Sequence, residues 1–242
     1  MSDNKNTLVL ITGGNKGIGK ATAILFSEKG YTVLFTSRSS ESHSQLEDEY
    51  KSKGAASAKG YVLDIRQKES SVQLVQAVQK DFGKIDILIN NAGIGIFSGV
   101  GDMTSDQWKD VIDTNLTGVF YLTHEVLPGM IGGKQGHIVN VGSLASRNTF
   151  SGGGAYCASK FGLLGFSECL MLDVREYNIK VSMIMPGSVN TSFNDHSVDD
   201  DQDTWKLTSE DVAEAIYDVV NTRSGHLMSR IELRPTNPAR KK

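Results

Sequence analysis

Thr7-Leu8-Val9-Leu10-Ile11-Thr12-Gly13-Gly14-Asn15-Lys16-Gly17-Ile18-Gly19 is the stretch on which the fold of this chain turns. An apolar run of strand length feeds straight into a glycine turn, and helical periodicity begins at Lys20. Strand, glycine turn and helix start form one unit of a parallel α/β sheet. Glycines let the backbone turn tightly and approach a pyrophosphate, while the unpaired amides and the dipole of the helix start favour negative charge there. A glycine-rich string alone is weak, because ordinary turns also use glycine. Its place directly after the first strand makes dinucleotide binding the better reading, with Gly13, Asn15, Lys16, Gly17, Ile18 and Gly19 as the contacting positions.

Working outward, further runs rich in Val, Ile and Leu occur at Tyr31–Ser37, Lys59–Leu63, Ile85–Asn90, His137–Val141 and Lys180–Met185, with a weaker one at Ile231–Leu233. Amphipathic stretches separate them: Gly17–Lys29, Glu41–Lys53, Glu69–Phe82, Ser105–Met130, Ala155–Tyr177 and Ser209–Thr222. Near-continuous apolar strands suit a sheet covered on both faces, and helices between them imply right-handed βαβ crossovers. The expected architecture is α/β, a doubly wound parallel sheet of about seven strands with helices on both faces. No linker or internal repeat divides the chain, so residues 1–242 are expected to form a single domain with a short lid at about 190–206.

The bulk numbers narrow the partners. A formal net charge of −3 and a pI near 6.0 give no global field for nucleic acid or an anionic membrane. The start, Met1–Asn6, is polar, and no run of about 18 apolar residues occurs, so neither secretion nor membrane insertion is expected. Cys157 and Cys169, if they share one helix, stand about 18 Å apart at about 1.5 Å per residue. That is too far for a disulfide, and reduced thiols suit the cytoplasm. The five histidines are scattered singly, and the acidic cluster Asp199-Asp200-Asp201 with Asp203 lacks calcium-loop spacing, so no metal is expected.

The second strand sharpens the cofactor. NAD-binding versions of this architecture place an acid at its end to accept the ribose 2′-hydroxyl; here the segment reads Phe35-Thr36-Ser37-Arg38-Ser39. Ser37 and Arg38, with Lys16, suit a 2′-phosphate through charge-assisted hydrogen bonds, which favours NADP(H). The alternative is that both cations are ordinary solvated side chains.

Tyr156-Cys157-Ala158-Ser159-Lys160 sets a tyrosine and a lysine on one helix face, at i and i+4. Ser143 stands just after a strand, at the end where open α/β sheets place ligands. A free tyrosine titrates near pH 10, and a neighbouring ammonium is one means of lowering it. Alone, such a pair is a common surface coincidence.

Together these segments resemble the short-chain dehydrogenase/reductase family over nearly the whole chain. Thr12-Gly13-x-x-x-Gly17-Ile18-Gly19 is similar to its cofactor turn, and Asn90-Asn91-Ala92-Gly93 to its strand-stabilising motif. Ser143, Tyr156 and Lys160 match its catalytic set, with Asn115 at its fourth position. Asp64-Ile65 resembles its adenine contact, and Pro186-Gly187-Ser188-Val189-Asn190-Thr191 the segment that meets the nicotinamide. The resemblance implies a Rossmann fold and proton donation from Tyr156 to a carbonyl oxygen as hydride arrives from the nicotinamide. It also implies a hydrogen bond from Ser143 to that oxygen, a Lys160 that holds the ribose and depresses the Tyr156 pKa, and an Asn115 that positions a water beside Lys160. Ser143 as a helix cap and Asn115 as a turn or helix-kink residue are the bland alternatives.

Substrate identity is thinly encoded. Ile94, Gly95, Phe97, Leu144, Phe150, Cys157, Gly187 and Ser188 are the candidate pocket residues, with Ser143, Phe97 and Phe150 chosen as substrate contacts. A short polar lid, with Phe193 and Trp205 its only aromatics, suggests an open site for small or medium carbonyl compounds. Three readings stand: an NADPH-dependent reductase of a ketone, aldehyde or 3-oxoacyl group; an alcohol or 3-hydroxy acid dehydrogenase; and a nucleotide sensor without turnover. A hydrolase centred on Ser143 lacks the Gly-x-Ser-x-Gly elbow. The resemblance further implies a homo-oligomer, a dimer or a tetramer, paired through the helices at 105–130 and 155–177.

Overall fold

Alternate residues of the first strand, β1 (Leu8–Thr12), face opposite cores. Leu8 and Leu10 join one apolar cluster and Val9 and Ile11 the other, as the two-residue period of a strand requires. In register, Leu10 lies beside Leu34 of β2 (Thr32–Ser37) and Leu88 of β4 (Ile87–Asn90), so whole rows of the sheet share a face. A computed structural model describes residues 4–191, 193 and 204–237. The acidic run at 199–203, most of the expected lid and the basic end at 238–242 lie outside them.

The remaining strands are β3 (Ser57–Val62), β5 (Gly136–Val141), β6 (Ile179–Pro186) and β7 (Arg230–Leu233). All seven pair in parallel, in the order β3-β2-β1-β4-β5-β6-β7. One face is covered by α1 (Gly17–Glu28), α2 (His43–Ser52) and α7 (Ser209–Val220), through Phe26, Leu46, Tyr50, Val212 and Ile216. The other is covered by α3 (Lys68–Phe82), α5 (Gly118–Gly133) and α6 (Gly154–Val174), through Leu74, Val78, Leu122, Val126 and Leu170. This is the expected doubly wound sheet, with each strand within about two residues of its expected bounds. The strand order reverses between β1 and β4, which opens a crevice at the carboxyl ends of those strands.

One expected element is corrected. The helix anticipated over Ser105–Met130 is two helices, α4 (Ser105–Ile112) and α5, joined by a π-helical turn at Asp113–Thr117. Apolar periodicity could not reveal it, because inserting one residue in a helix leaves the residue types around it unchanged. The Asn115 side chain holds the turn through long-range bonds that no local pattern encodes, described below.

Candidate active site

The site is built on strand ends. At the end of β1, the Thr12 hydroxyl accepts from the main-chain amides of Asn91 and Ala92, both at 2.9 Å. In return the Asn91 amide donates to the carbonyls of Thr12 (2.9 Å) and Gly13 (3.3 Å). The turn after β1 and the segment after β4 are thus one rigid unit at the switch point. Gly13 has φ +66°, a left-handed conformation that favours glycine. Gly19 is packed so closely that a Cβ would stand 2.2 Å from the Gly13 carbonyl oxygen and 2.5 Å from Asn91 Nδ2.

A dinucleotide fits this unit. Lys16, the residue before α1, is extended and offers no side-chain cap, so the first amides of the helix keep their donors for an anion. The Thr191 side chain faces Gly17, closing the far wall of the turn. Asn190 Oδ1 is buried without a hydrogen-bond partner among the described residues, an acceptor in the segment expected to meet a nicotinamide. Ser37 is buried at the end of β2, and Arg38 and Lys16 are exposed beside the crevice. Asp64 is held below the usual carboxylate range by hydrogen bonds from Arg66 and, more weakly, by the nearby Arg38 charge. Ile65 is buried against α5. Pro186 closes β6, the Gly187 amide donates to the Leu233 carbonyl (2.8 Å), and Val189 packs on the second core.

At the end of β5, Ser143 caps a short 3-10 turn at Leu144–Ser146: its hydroxyl accepts from the Ala145 amide at 3.1 Å. The capping alternative is therefore real, and the Ser143 side chain also acts on the Tyr156 phenol, lowering its pKa by a hydrogen bond. Tyr156 and Lys160 lie in the first two turns of α6, and the Lys160 ammonium stands 5.8 Å from the Tyr156 ring centroid. Lys160 is 5% exposed and donates to the Val141 carbonyl at 3.0 Å.

The expected depression of Tyr156 by Lys160 is absent. Burial raises the Tyr156 pKa above its ordinary value, and the hydrogen bond with Ser143 offsets only part of that. Lys160 itself is pushed down to about 8 by its own desolvation.

Asn115 is fully buried in the π-helical turn. Its Oδ1 accepts from the Ile94 amide (2.9 Å), and its Nδ2 donates to the Ile94 carbonyl (2.9 Å) and to Ser159 Oγ (3.1 Å). The side chain braces the kink of the bland alternative, and Oδ1, which accepts one bond here, keeps its second lone pair. It still borders the site: a Cβ at Gly93 would meet Asn115 Oδ1 at 3.2 Å and Lys160 Nζ at 3.7 Å.

Phe97 packs edge-on against both Phe150 (5.6 Å) and Tyr156 (5.5 Å), so the two phenylalanines chosen from sequence do gather at the tyrosine. Phe193 also packs on Tyr156, at 6.1 Å, a contact the sequence reading left in the lid. Cys157 is buried and Cys169 exposed, and both are free thiols. Sequence reasoning also missed Ser159, which receives Asn115 and could be suspected from its place between Tyr156 and Lys160. It missed Tyr50 as well, whose hydroxyl donates to the Gly14 carbonyl at 2.5 Å; nothing near Tyr50 in sequence signals that bond.

The fold and this constellation define a nucleotide-dependent oxidoreductase architecture. The model of the short chain dehydrogenase family matches residues 7–202, and the chain belongs to that family. It is 36% identical over 200 residues to a 3-oxoacyl-(acyl-carrier-protein) reductase of Vibrio cholerae, covering 83% of this chain and 80% of that one. A metagenomic short-chain oxidoreductase in complex with NADP superposes with a TM-score of 0.85 at 28% identity, covering 98% of this chain and 100% of that one. The closed form of a serine dehydrogenase complexed with NADP+ superposes with a TM-score of 0.89 at 31% identity, covering 98% of each chain.

Proposed function

We propose that this chain is an NADPH-dependent reductase of a ketone, aldehyde or 3-oxoacyl group. The observation that carries the reading is the gathering of Tyr156, Lys160 and Ser143 at the carboxyl end of the sheet, beside a glycine turn with free amides. A general acid must hold its proton at working pH, and the Tyr156 phenol does so.

The cofactor would be held by the amides of Gly17, Ile18 and Gly19 at its pyrophosphate, by Arg38 and Lys16 at a 2′-phosphate with Ser37 shaping the turn that carries Arg38, by Asp64 and Ile65 at the adenine, and by Asn91, Ala92, Gly93 and the 186–191 segment towards the nicotinamide. When bound it supplies hydride. Ser143 hydrogen-bonds the carbonyl oxygen where negative charge develops, the kind of stabilisation on which such reactions depend. Tyr156 donates its proton to that oxygen. Lys160, cheap to deprotonate for a lysine, passes a proton towards the phenol and fixes the ribose side of the site. Asn115 acts through Ile94 and Ser159, holding the wall opposite Lys160. Phe97, Phe150 and Phe193 exclude water from the reacting carbonyl.

The NADPH preference rests on Ser37-Arg38 where an acid would serve NAD, and on two NADP-bound relatives of this fold. The 3-oxoacyl option draws on the Vibrio relative's name, and the serine dehydrogenase relative favours a second reading, oxidation of a 3-hydroxy acid. We also place the enzyme in the cytoplasm as a homo-oligomer; exposed Phe120 on α5 and Phe161 on α6 support pairing of subunits. No helix among the described residues is long and apolar enough to cross a membrane.

A panel of carbonyl compounds with NADPH or NADH, and of 3-hydroxy acids with the oxidised cofactors, tests this by absorbance of the reduced nicotinamide. Wild type should consume NADPH with a carbonyl, and Tyr156→Phe should bind NADPH as wild type does yet lose about 100-fold or more of turnover. Near-normal turnover in that variant would remove Tyr156 from the chemistry. Turnover with 3-hydroxy acids alone would favour the second reading.

A further inference from the structure

His43, the first residue of α2, is a 7%-exposed imidazole that the reaction does not use. Its ring packs edge-on against Phe35 (5.2 Å) and lies over the backbone of Gly60 on β3, where a Cβ would stand 2.6 Å from its Cγ. The strand next to β2 therefore leaves a slot shaped for this ring. The ring's Nε2 is 2.7 Å from Ser37 Oγ, and Ser37 Oγ is 2.5 Å from the Ser39 carbonyl.

The proton count in that chain of atoms has one solution. A carbonyl only accepts, so the single Ser37 hydroxyl proton points at Ser39. Ser37 Oγ must then accept from the imidazole, which fixes the proton on His43 Nε2. The imidazole thereby holds Ser37, and Ser37 ties down the carbonyl two residues on, so Arg38 is carried on a closed turn. Two backbone bonds continue the brace: the His43 amide donates to the Ser40 carbonyl (3.0 Å), and the Leu46 amide to the Ser42 carbonyl (3.0 Å). Arg38, by contrast, is exposed and makes no hydrogen bond or ion pair among the described residues. The backbone beneath it is ordered by groups other than its own guanidinium.

We propose that His43 is a positioning residue for cofactor choice: its Nε2–H fixes the Ser37-Arg38-Ser39 turn so that Arg38 meets a 2′-phosphate without first paying to order the loop. The inference rests on the NADPH reading above. Since a 2′-hydroxyl makes no demand on Arg38, the brace matters for 2′-phosphorylated ligands and is nearly neutral for NADH.

The test compares dissociation constants of NADPH and NADH by fluorescence, and of 2′,5′-ADP and 5′-ADP by calorimetry, for wild type, His43→Leu, His43→Phe, His43→Gln and Arg38→Ala. Losing one hydrogen bond to an ordered turn is worth roughly tenfold. His43→Leu should therefore weaken NADPH and 2′,5′-ADP by about tenfold while leaving NADH and 5′-ADP within about twofold. His43→Phe fills the slot without a donor and should do the same, which keeps the test open if the smaller side chain unfolds the protein. His43→Gln restores a donor and should recover part of the preference. Nitrogen-15 shifts of the imidazole should report Nε2 as the protonated site.

Equal weakening of both cofactors, an unchanged ratio, or a proton on Nδ1 alone would overturn the assignment. A wild type that does not prefer NADPH sinks the NADPH reading itself. A preference lost in Arg38→Ala but retained in both His43→Leu and His43→Phe sinks only the role of His43.

Discussion

Lys160 spends its buried ammonium on the main-chain carbonyl of Val141, 3.0 Å away, and no carboxylate balances that charge among the described residues. Burial lowers its pKa from 10.5 to about 8. The folded state therefore binds this proton less tightly than the unfolded chain does.

The sign of the stability effect follows. Between pH 8 and 10.5 the unfolded state holds more protons, so stability rises with pH across that window, and below pH 8 the cost of the buried charge is present in full. That cost is about 3 kcal/mol. Lys160→Met should raise the melting temperature at pH 7 by about 6–12 °C, at about 2–4 °C per kcal/mol for a chain of this size, while abolishing turnover. The gain should narrow as the buffer approaches pH 10. Calorimetry at both pH values checks it, and a less stable variant at pH 7 would show that the Val141 bond outweighs the desolvation.

Asn115→Ala would leave the Ile94 amide, the Ile94 carbonyl and Ser159 without their partner. Each unsatisfied buried group costs about 1–3 kcal/mol, so urea unfolding should show a loss of at least 2 kcal/mol. Asn115→Asp should not rescue it, because two of the three partners need a donor.

The Phe97 ring helps to keep water from Tyr156. Burial is the largest cause of the raised phenol pKa, so Phe97→Ala should bring that pKa down towards 10. The alkaline limb of the pH profile of kcat/KM should move to lower pH, and an unmoved limb would mean that Phe150 and Phe193 shield the phenol without it.

Two glycines should respond in opposite directions to alanine. At Gly19 a Cβ lands on the Gly13 carbonyl at 2.2 Å, so Gly19→Ala should weaken NADPH binding by displacing the turn. At Gly165, inside α6, no atom lies within 4 Å of the added carbon, and Gly165→Ala should stabilise by about 0.5–1 kcal/mol. Thermal unfolding and cofactor titration of the pair separate the two effects.

The sheet was legible in sequence because parallel strands buried on both faces must be apolar along their length, as Leu8–Ile11 and Ile87–Ile89 are. The less buried edge strands β3 and β7 were correspondingly the weaker signals. Of the site, residue identities were legible where a motif has fixed spacing, as with Tyr156 and Lys160. Their electrostatics were not: the sign of the shift at Tyr156 depends on burial under Phe97 and Phe193, which are separated from it by 59 and 37 residues. The partners that brace Asn115 were hidden for a similar reason, since Ile94 and Ser159 come from other segments.

The turn at Asp113–Thr117 makes the chain one residue longer than the helix around it requires. The bulge absorbs that extra residue, so Val111 of α4 and Val119 of α5 both stay buried. Deleting a residue there would let ordinary α-helix run through, but it would carry the Asn115 side chain away from Ile94 and Ser159, which it bridges only from the bulge. Segment length is thus a coded quantity here: single-residue deletions at 113–117 should be far less tolerated than substitutions at the same positions, apart from those at Asn115.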